Sequence, residues 1–182
     1  MSTRGAFIIA KNNEYKELFI WSDAYPDEAG REVVNLIKTA DLDLAFDHLI
    51  PCKDGKKPDG EDAMYLSLRR VEDAGDINAE PYYYRTSDTM FIYDSISCEY
   101  GYLADLDHQT LEYYTGRQDS PQEGNRFGTE RTPVPPTGVK CYPCGLRSVF
   151  SFQYVREPST PELVRLMEEI KRERPDEVKY FR

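Results

Sequence analysis

Cys141-Tyr142-Pro143-Cys144 is the one C-x-x-C in the chain, and two thiols at that spacing can support redox or metal chemistry. A redox pair of the thioredoxin kind opens a helix, whose N-terminus lowers the first thiol's pKa. Here Pro143 and Gly145 lead into a strand pattern, so that context is missing. A zinc site would have to recruit Cys52 and Cys98, which belong to no second C-x-x-C. Ordinary buried thiols are the simpler expectation, with no metal and no cofactor. The only histidines are His48, in a predicted helix, and His108, in a predicted turn. They form no helical His pair of the zincin type.

The remaining chemistry is thin. Asp105 and Asp107 flank Leu106 and could present two carboxylates to one cation, but they stand at a hairpin end, where Asp forms turns. Pro175-Asp176-Glu177-Val178-Lys179 holds acids and a lysine, yet a metal-dependent nuclease draws its carboxylates from separate strands. A solvated C-terminal tail is the plainer reading. Neither phosphate-cradling glycine motif is present. Ser2 would become N-terminal if Met1 were removed, and an N-terminal Ser can act as nucleophile with its own amine as base. An N-terminal-nucleophile hydrolase is therefore kept as an alternative to a non-enzymatic protein, beside a small protein-binding module.

The elements that would carry these residues are legible in part. Residues 5–10 and 15–21 are apolar, β-prone runs around Asn12-Asn13, the pattern of a hairpin. Pro26, Asp27 and Glu28 suit the first turn of a helix whose apolar face is Val33, Val34, Leu36 and Ile37. A second helix is expected over 41–50, stopped by Pro51. Strands are expected over 64–68, 82–85, 89–93, 99–105, 110–115 and 148–155, with the 99–105 and 110–115 pair closed by residues 106–109. Residues 117–140 lack periodicity and contain four prolines, so a long loop is expected, either functional or a mobile arm. Ser159 or Thr160 caps a closing helix with Leu163, Leu166, Met167 and Ile170 on one face. The expected fold is a single α+β domain over 1–182, a mostly antiparallel sheet with helices packed on one side.

The 182 residues include 23 Lys+Arg and 33 Asp+Glu, a formal charge of −10, and 40% of them are hydrophobic. That suffices for one core, and the mean hydropathy is −0.68. No run approaches the roughly 18 apolar residues of a membrane span, and the N-terminus has no signal-peptide pattern. A cytoplasmic location is expected. Direct nucleic-acid binding is disfavoured, because it draws on clustered Lys and Arg. The charge is regional: residues 61–116 hold 3 Lys+Arg against 12 Asp+Glu and 9 of the 14 tyrosines. An acidic, tyrosine-rich segment suits a basic partner.

Three stretches resemble a broad family carried by phages and other mobile elements. Ser2-Thr3-Arg4-Gly5 is similar to its start, where many members have Gly in place of Ser2. Ser22-Asp23-Ala24-Tyr25-Pro26 with Gly30 is similar to its W-D-x-Y-P…G turn, with Ser22 in place of the aromatic residue. Tyr102-Leu103-Ala104-Asp105-Leu106-Asp107 with Leu111-Glu112-Tyr113 is similar to its Y-x-x-D-L-D…L-E-x-Y hairpin. Within that group the chain resembles the type II anti-CRISPR proteins, inhibitors of the RNA-guided Cas nuclease. The resemblance implies a non-enzymatic inhibitor that blocks DNA binding or cleavage by a basic host nuclease loaded with guide RNA. The surface groups expected to meet that partner are Asp23, Tyr25, the run Tyr82, Tyr83 and Tyr84, Asp105 and Asp107.

Overall fold

The computed structural model describes residues 3–53, 82–86, 90–134, 138–172 and 177–182. Its strands are β1 (Gly5–Lys11), β2 (Glu14–Ile20), β3 (Leu49–Lys53), β4 (Tyr82–Thr86), β5 (Tyr100–Asp105), β6 (Thr110–Thr115), β7 (Thr132–Val134), β8 (Val139–Cys141), β9 (Gly145–Ser151) and β10 (Lys179–Phe181). Its helices are α1 (Arg31–Thr39), α2 (Leu42–His48), α3 (Phe152–Arg156) and α4 (Thr160–Arg172). Eight strands form one sheet in the order β10-β9-β6-β5-β1-β2-β4-β3, and β7 pairs with β8 apart from it. The fold is α+β. The sheet is mixed, since β1–β5, β3–β4 and β9–β10 run parallel and the other four pairings are antiparallel.

β1 shows why the sheet is covered on both faces. Phe7 and Ile9 point into one core with the apolar faces of the four described helices, while Ala6, Ile8 and Ala10 point into a second. That period of two is the pleat itself. The helices thus pack on one face, as expected. The other face is covered by connecting segments that supply Ile92, Cys98, Phe127 and Cys144.

Four expectations shift, each for a local reason. The second helix ends at His48, and Leu49–Ile50 belong to β3, because the residue before Pro51 is driven toward extended backbone. Phe91–Tyr93 form a tight 3₁₀ turn instead of a strand, since the Glu17 carboxylate accepts the Phe91 and Ile92 N–H groups at 2.8 and 3.2 Å. The strand expected over 148–155 stops at Ser151, whose hydroxyl accepts Tyr154 N–H and starts α3. The expected solvated tail instead contributes β10, where Phe181 stacks on Phe150 at 4.7 Å. The strand expected over 64–68 lies outside the described residues.

The stretch 117–140 is packed over much of its length. Residues 117–131 form no helix or strand, but Gln122 brackets the Leu146 peptide, donating to its carbonyl at 2.8 Å and accepting its N–H at 2.7 Å. Asn125 donates to Cys144 O at 2.8 Å, and Phe127 is buried. The β7–β8 pair follows.

Residues of the family-like motifs hold this frame together. A Cβ on Gly5 would lie 2.6 Å from the Tyr100 carbonyl oxygen and 2.8 Å from Ala24 Cβ, so β1 and β5 pair closely only with glycine there. Pro26–Gly30 form a wide π-type turn that runs into α1, and Gly30 faces the Tyr102 ring. The buried Tyr102 hydroxyl donates to Ala24 O at 2.9 Å. Gly5→Ala is therefore expected to cost about 1–3 kcal/mol through overpacking, read as a lower urea midpoint with an unchanged m-value.

Candidate functional site

The connection from β2 to α1 leaves unusual groups at the surface. Trp21 is 48% exposed and Tyr25 38%, and Asp23, Asp27 and Glu28 are exposed. Its backbone is fixed nonetheless. Asp23 sits at φ +57°, a left-handed conformation that Asp tolerates better than most residues, and its carbonyl accepts Ala29 N–H. Ala24 N–H donates to Thr3 O. Trp21 rests edge-on against Phe19 at 4.6 Å, and Tyr25 against Tyr100 at 5.7 Å.

Tyr25 also lines a cavity of about 800 Å³ at the end of the sheet. Its lining includes Tyr100, the buried Arg147, and the partly exposed Lys171 in the last turn of α4. Arg147 is the extra residue at a β-bulge, where Tyr113 faces Ser148 but Tyr114 faces Leu146. It is buried and donates to Ile170 O at 3.0 Å. Lys171 Nζ lies 4.8 Å from the Tyr100 ring centre and 5.6 Å from that of Tyr25. Burial pushes the Tyr100 phenol up against the opposing pull of Lys171; burial also lowers Lys171, but the Tyr100 hydrogen bond together with the Tyr100, Glu168 and Tyr25 charges outweighs it and holds the ammonium above its ordinary value.

Asp105 takes a different place from the one expected. It is 2% exposed and bonds Arg126, so it is no surface docking group. Arg126 also pairs with Glu112, whose carboxylate accepts the Tyr114 hydroxyl. Asp105 Oδ1 accepts His108 N–H at 2.9 Å and Oδ2 meets His108 Nδ1 at 3.0 Å, closing the β5–β6 turn. Burial pushes the Asp105 carboxyl up, but bonds from Arg126 and His108 outweigh it and hold the group below its ordinary value. Asp107 is exposed and accepts Asn12 N–H at 2.7 Å, tying the two hairpin turns together. The turn reading of both aspartates is thus the observed one.

The tyrosine-rich segment is revised in the same direction. Tyr100, Tyr102, Tyr113 and Tyr114 are buried, and Tyr102 and Tyr113 stack at 5.6 Å. These four serve the core. Tyr82, Tyr83 and Tyr84 lie on β4, and their side chains are outside the described set. Of the segment's twelve acids, seven fall between 61 and 88 and are likewise outside it.

No family model, curated protein or solved structure matches this chain. Function therefore has to be argued from the residues in place.

Cys98, Cys141 and Cys144 are buried thiols. Cys144 Sγ donates to Cys98 O and Cys141 Sγ to Tyr93 O, each at 3.3 Å, so the C-x-x-C sulfurs aim at different partners. Burial first, then Cys144, pushes the Cys98 thiol up, away from the reactive thiolate. Among the described residues no group of three or more His, Cys, Asp or Glu is placed to hold a metal ion. Ser2 and the side chain of Cys52 lie outside them. No described helix is long and apolar enough to cross a membrane.

Trp21, Arg126, Arg147 and Lys171 escaped sequence reasoning. Trp21 reads as the end of an apolar run, and Lys171 as an ordinary last-turn cation. Arg126 stands in an aperiodic loop and Arg147 owes its burial to a bulge, neither of which leaves a local signature.

Proposed function

We propose that the chain is a non-enzymatic binding protein that inhibits a basic host nuclease of the RNA-guided CRISPR type, in the cytoplasm of a bacterial cell. One observation supports this most: the fixed 21–28 connection exposes Trp21 and Tyr25 among Asp23, Asp27 and Glu28. Trp and Tyr are among the residue types that dominate interface energetics once a partner covers them. The acids around them match the basic channel in which such a nuclease holds its heteroduplex and displaced strand. The formal charge of −10 would add long-range steering. Asp23-Ala24-Tyr25-Pro26 also resembles the turn of the broad phage and mobile-element family, within which the chain resembles the inhibitors. The proposal assigns Asp23 and Tyr25 the role expected of them and adds Trp21, Asp27 and Glu28.

The test is co-elution of purified chain with guide-loaded nuclease, followed by a DNA-cleavage assay. The expected result is one complex peak and suppressed cleavage, with affinity falling as salt rises. Absence of a complex at low salt contradicts the proposal.

A further inference from the structure

The cavity beneath Tyr25 has a charge arrangement that points to a ligand of its own. Its lining balances Arg117, Arg147 and Lys171 against Glu99, Asp119 and Glu123. Arg147 is the one buried charge among them, at 3% exposure; Arg117, Asp119 and Glu123 are exposed, Glu99 is half-buried, and Lys171 lies against two tyrosine rings with its side chain 37% exposed. A dianion such as phosphate is poorly matched, because the lining is neutral in sum and Glu168 sits 4.0 Å from Lys171. A ligand carrying one charge of each sign fits better.

Arg147 with Lys171 nearby suits a carboxylate. A guanidinium is a planar fork of donors that meets a carboxylate bidentately, and Arg147 is anchored by its bond to Ile170 O. Lys171 adds a point charge beside the Tyr100 phenol. Behind this lining the Tyr113 and Ser148 hydroxyls, opposite each other on β6 and β9, are buried and make no hydrogen bond to the protein, and neither lines the cavity.

We propose that this cavity binds a zwitterionic amino acid or short peptide, its carboxylate on Arg147, Lys171 and Tyr100 and its ammonium toward Glu99, Asp119 and Glu123. Tyr25 forms the wall along which the ligand's side chain packs. The volume exceeds that of one amino acid, so a dipeptide or tripeptide fills it better. This site is separate from the docking turn, with Tyr25 as the one shared residue, and it stands whether or not a nuclease is bound.

The experiment is a calorimetric titration of the full chain with the dipeptide Lys-Phe, its C-terminal amide, and inorganic phosphate. Lys-Phe is expected to bind saturably, the amide at least about tenfold more weakly, and phosphate more weakly still. Lys171→Met keeps the aliphatic stem over the rings and is expected to weaken Lys-Phe by about tenfold or more. Arg147→Lys retains the charge without the fork and is expected to weaken it as well, with thermal melting confirming that both variants fold. Failure of Lys-Phe to bind at millimolar concentration overturns the proposal. So does equal binding of the amide, or binding unchanged in Lys171→Met.

Discussion

Arg126→Met is expected to lower the unfolding free energy by about 3–5 kcal/mol, the range for breaking a buried ion pair by removing one partner. The variant would leave Asp105 and Glu112, both nearly buried, with no cation between them. The Tyr114 hydroxyl and the β5–β6 turn depend on the same carboxylates. Arg126 also fastens the 117–131 connection over the second core, so its loss frees a cover as well as a charge. Denaturant unfolding followed by tryptophan fluorescence reads the effect through Trp21, the chain's one tryptophan.

The pH dependence should follow from the same network. Asp105 is held below its ordinary pKa in the folded state. Its contribution is then fully present above the unfolded value, near about 3.9, and is lost as pH falls through the folded value. The wild-type chain should lose stability on acidification over that window. Arg126→Met removes the main cause of the depression, so its stability should depend less on pH there. An unchanged acid profile in the variant would remove Asp105 from the account.

Trp21→Ala together with Tyr25→Ala is expected to weaken the nuclease complex by about 2–4 kcal/mol, or about 30- to 1000-fold in Kd. Truncating two large aromatics at the centre of an interface removes contact area that no neighbour replaces. The fold should tolerate it, since both rings are substantially exposed and stand outside the two cores. Trp21→Ala alone is the cleaner variant, because Trp21 does not line the cavity that Tyr25 shares. Binding measured by interferometry, with circular dichroism confirming the fold, separates lost docking from lost structure. Kd values within twofold of wild type for the double variant would place the interface elsewhere.

How far the sequence reaches is clearest element by element. The β1–β2 and β5–β6 hairpins and α1 and α4 were all legible, because each declares itself through local periodicity and a cap or turn. At the head of α4 the Glu162 carboxylate accepts Ser159 N–H at 2.8 Å, one half of a capping box. What could not be read was long-range. Glu17 converts 91–93 from strand to turn across more than seventy residues, and nothing near Phe91 announces it. Arg126 turns the hairpin aspartates into a buried network from an aperiodic stretch. The tyrosine count was legible as a number but not as a location. Four of those tyrosines line strands buried on both faces, where an aromatic ring with a polar tip is a core residue. Of the proposed docking turn, Asp23 and Tyr25 stand in the sequence motif, while Trp21 and the cavity's cations required the fold.

The most direct test of docking through the 21–28 connection compares two triple neutralisations of equal charge. One carries Asp23→Asn, Asp27→Asn and Glu28→Gln; the other carries Glu130→Gln, Glu157→Gln and Glu169→Gln, all exposed elsewhere. The Kd for guide-loaded nuclease is measured for both at low and at physiological salt. The first triple is expected to weaken binding by about tenfold or more and to flatten its salt dependence, while the second shifts it only slightly. Equal losses from both would reduce the acidity to a general property of the surface and contradict docking through this turn.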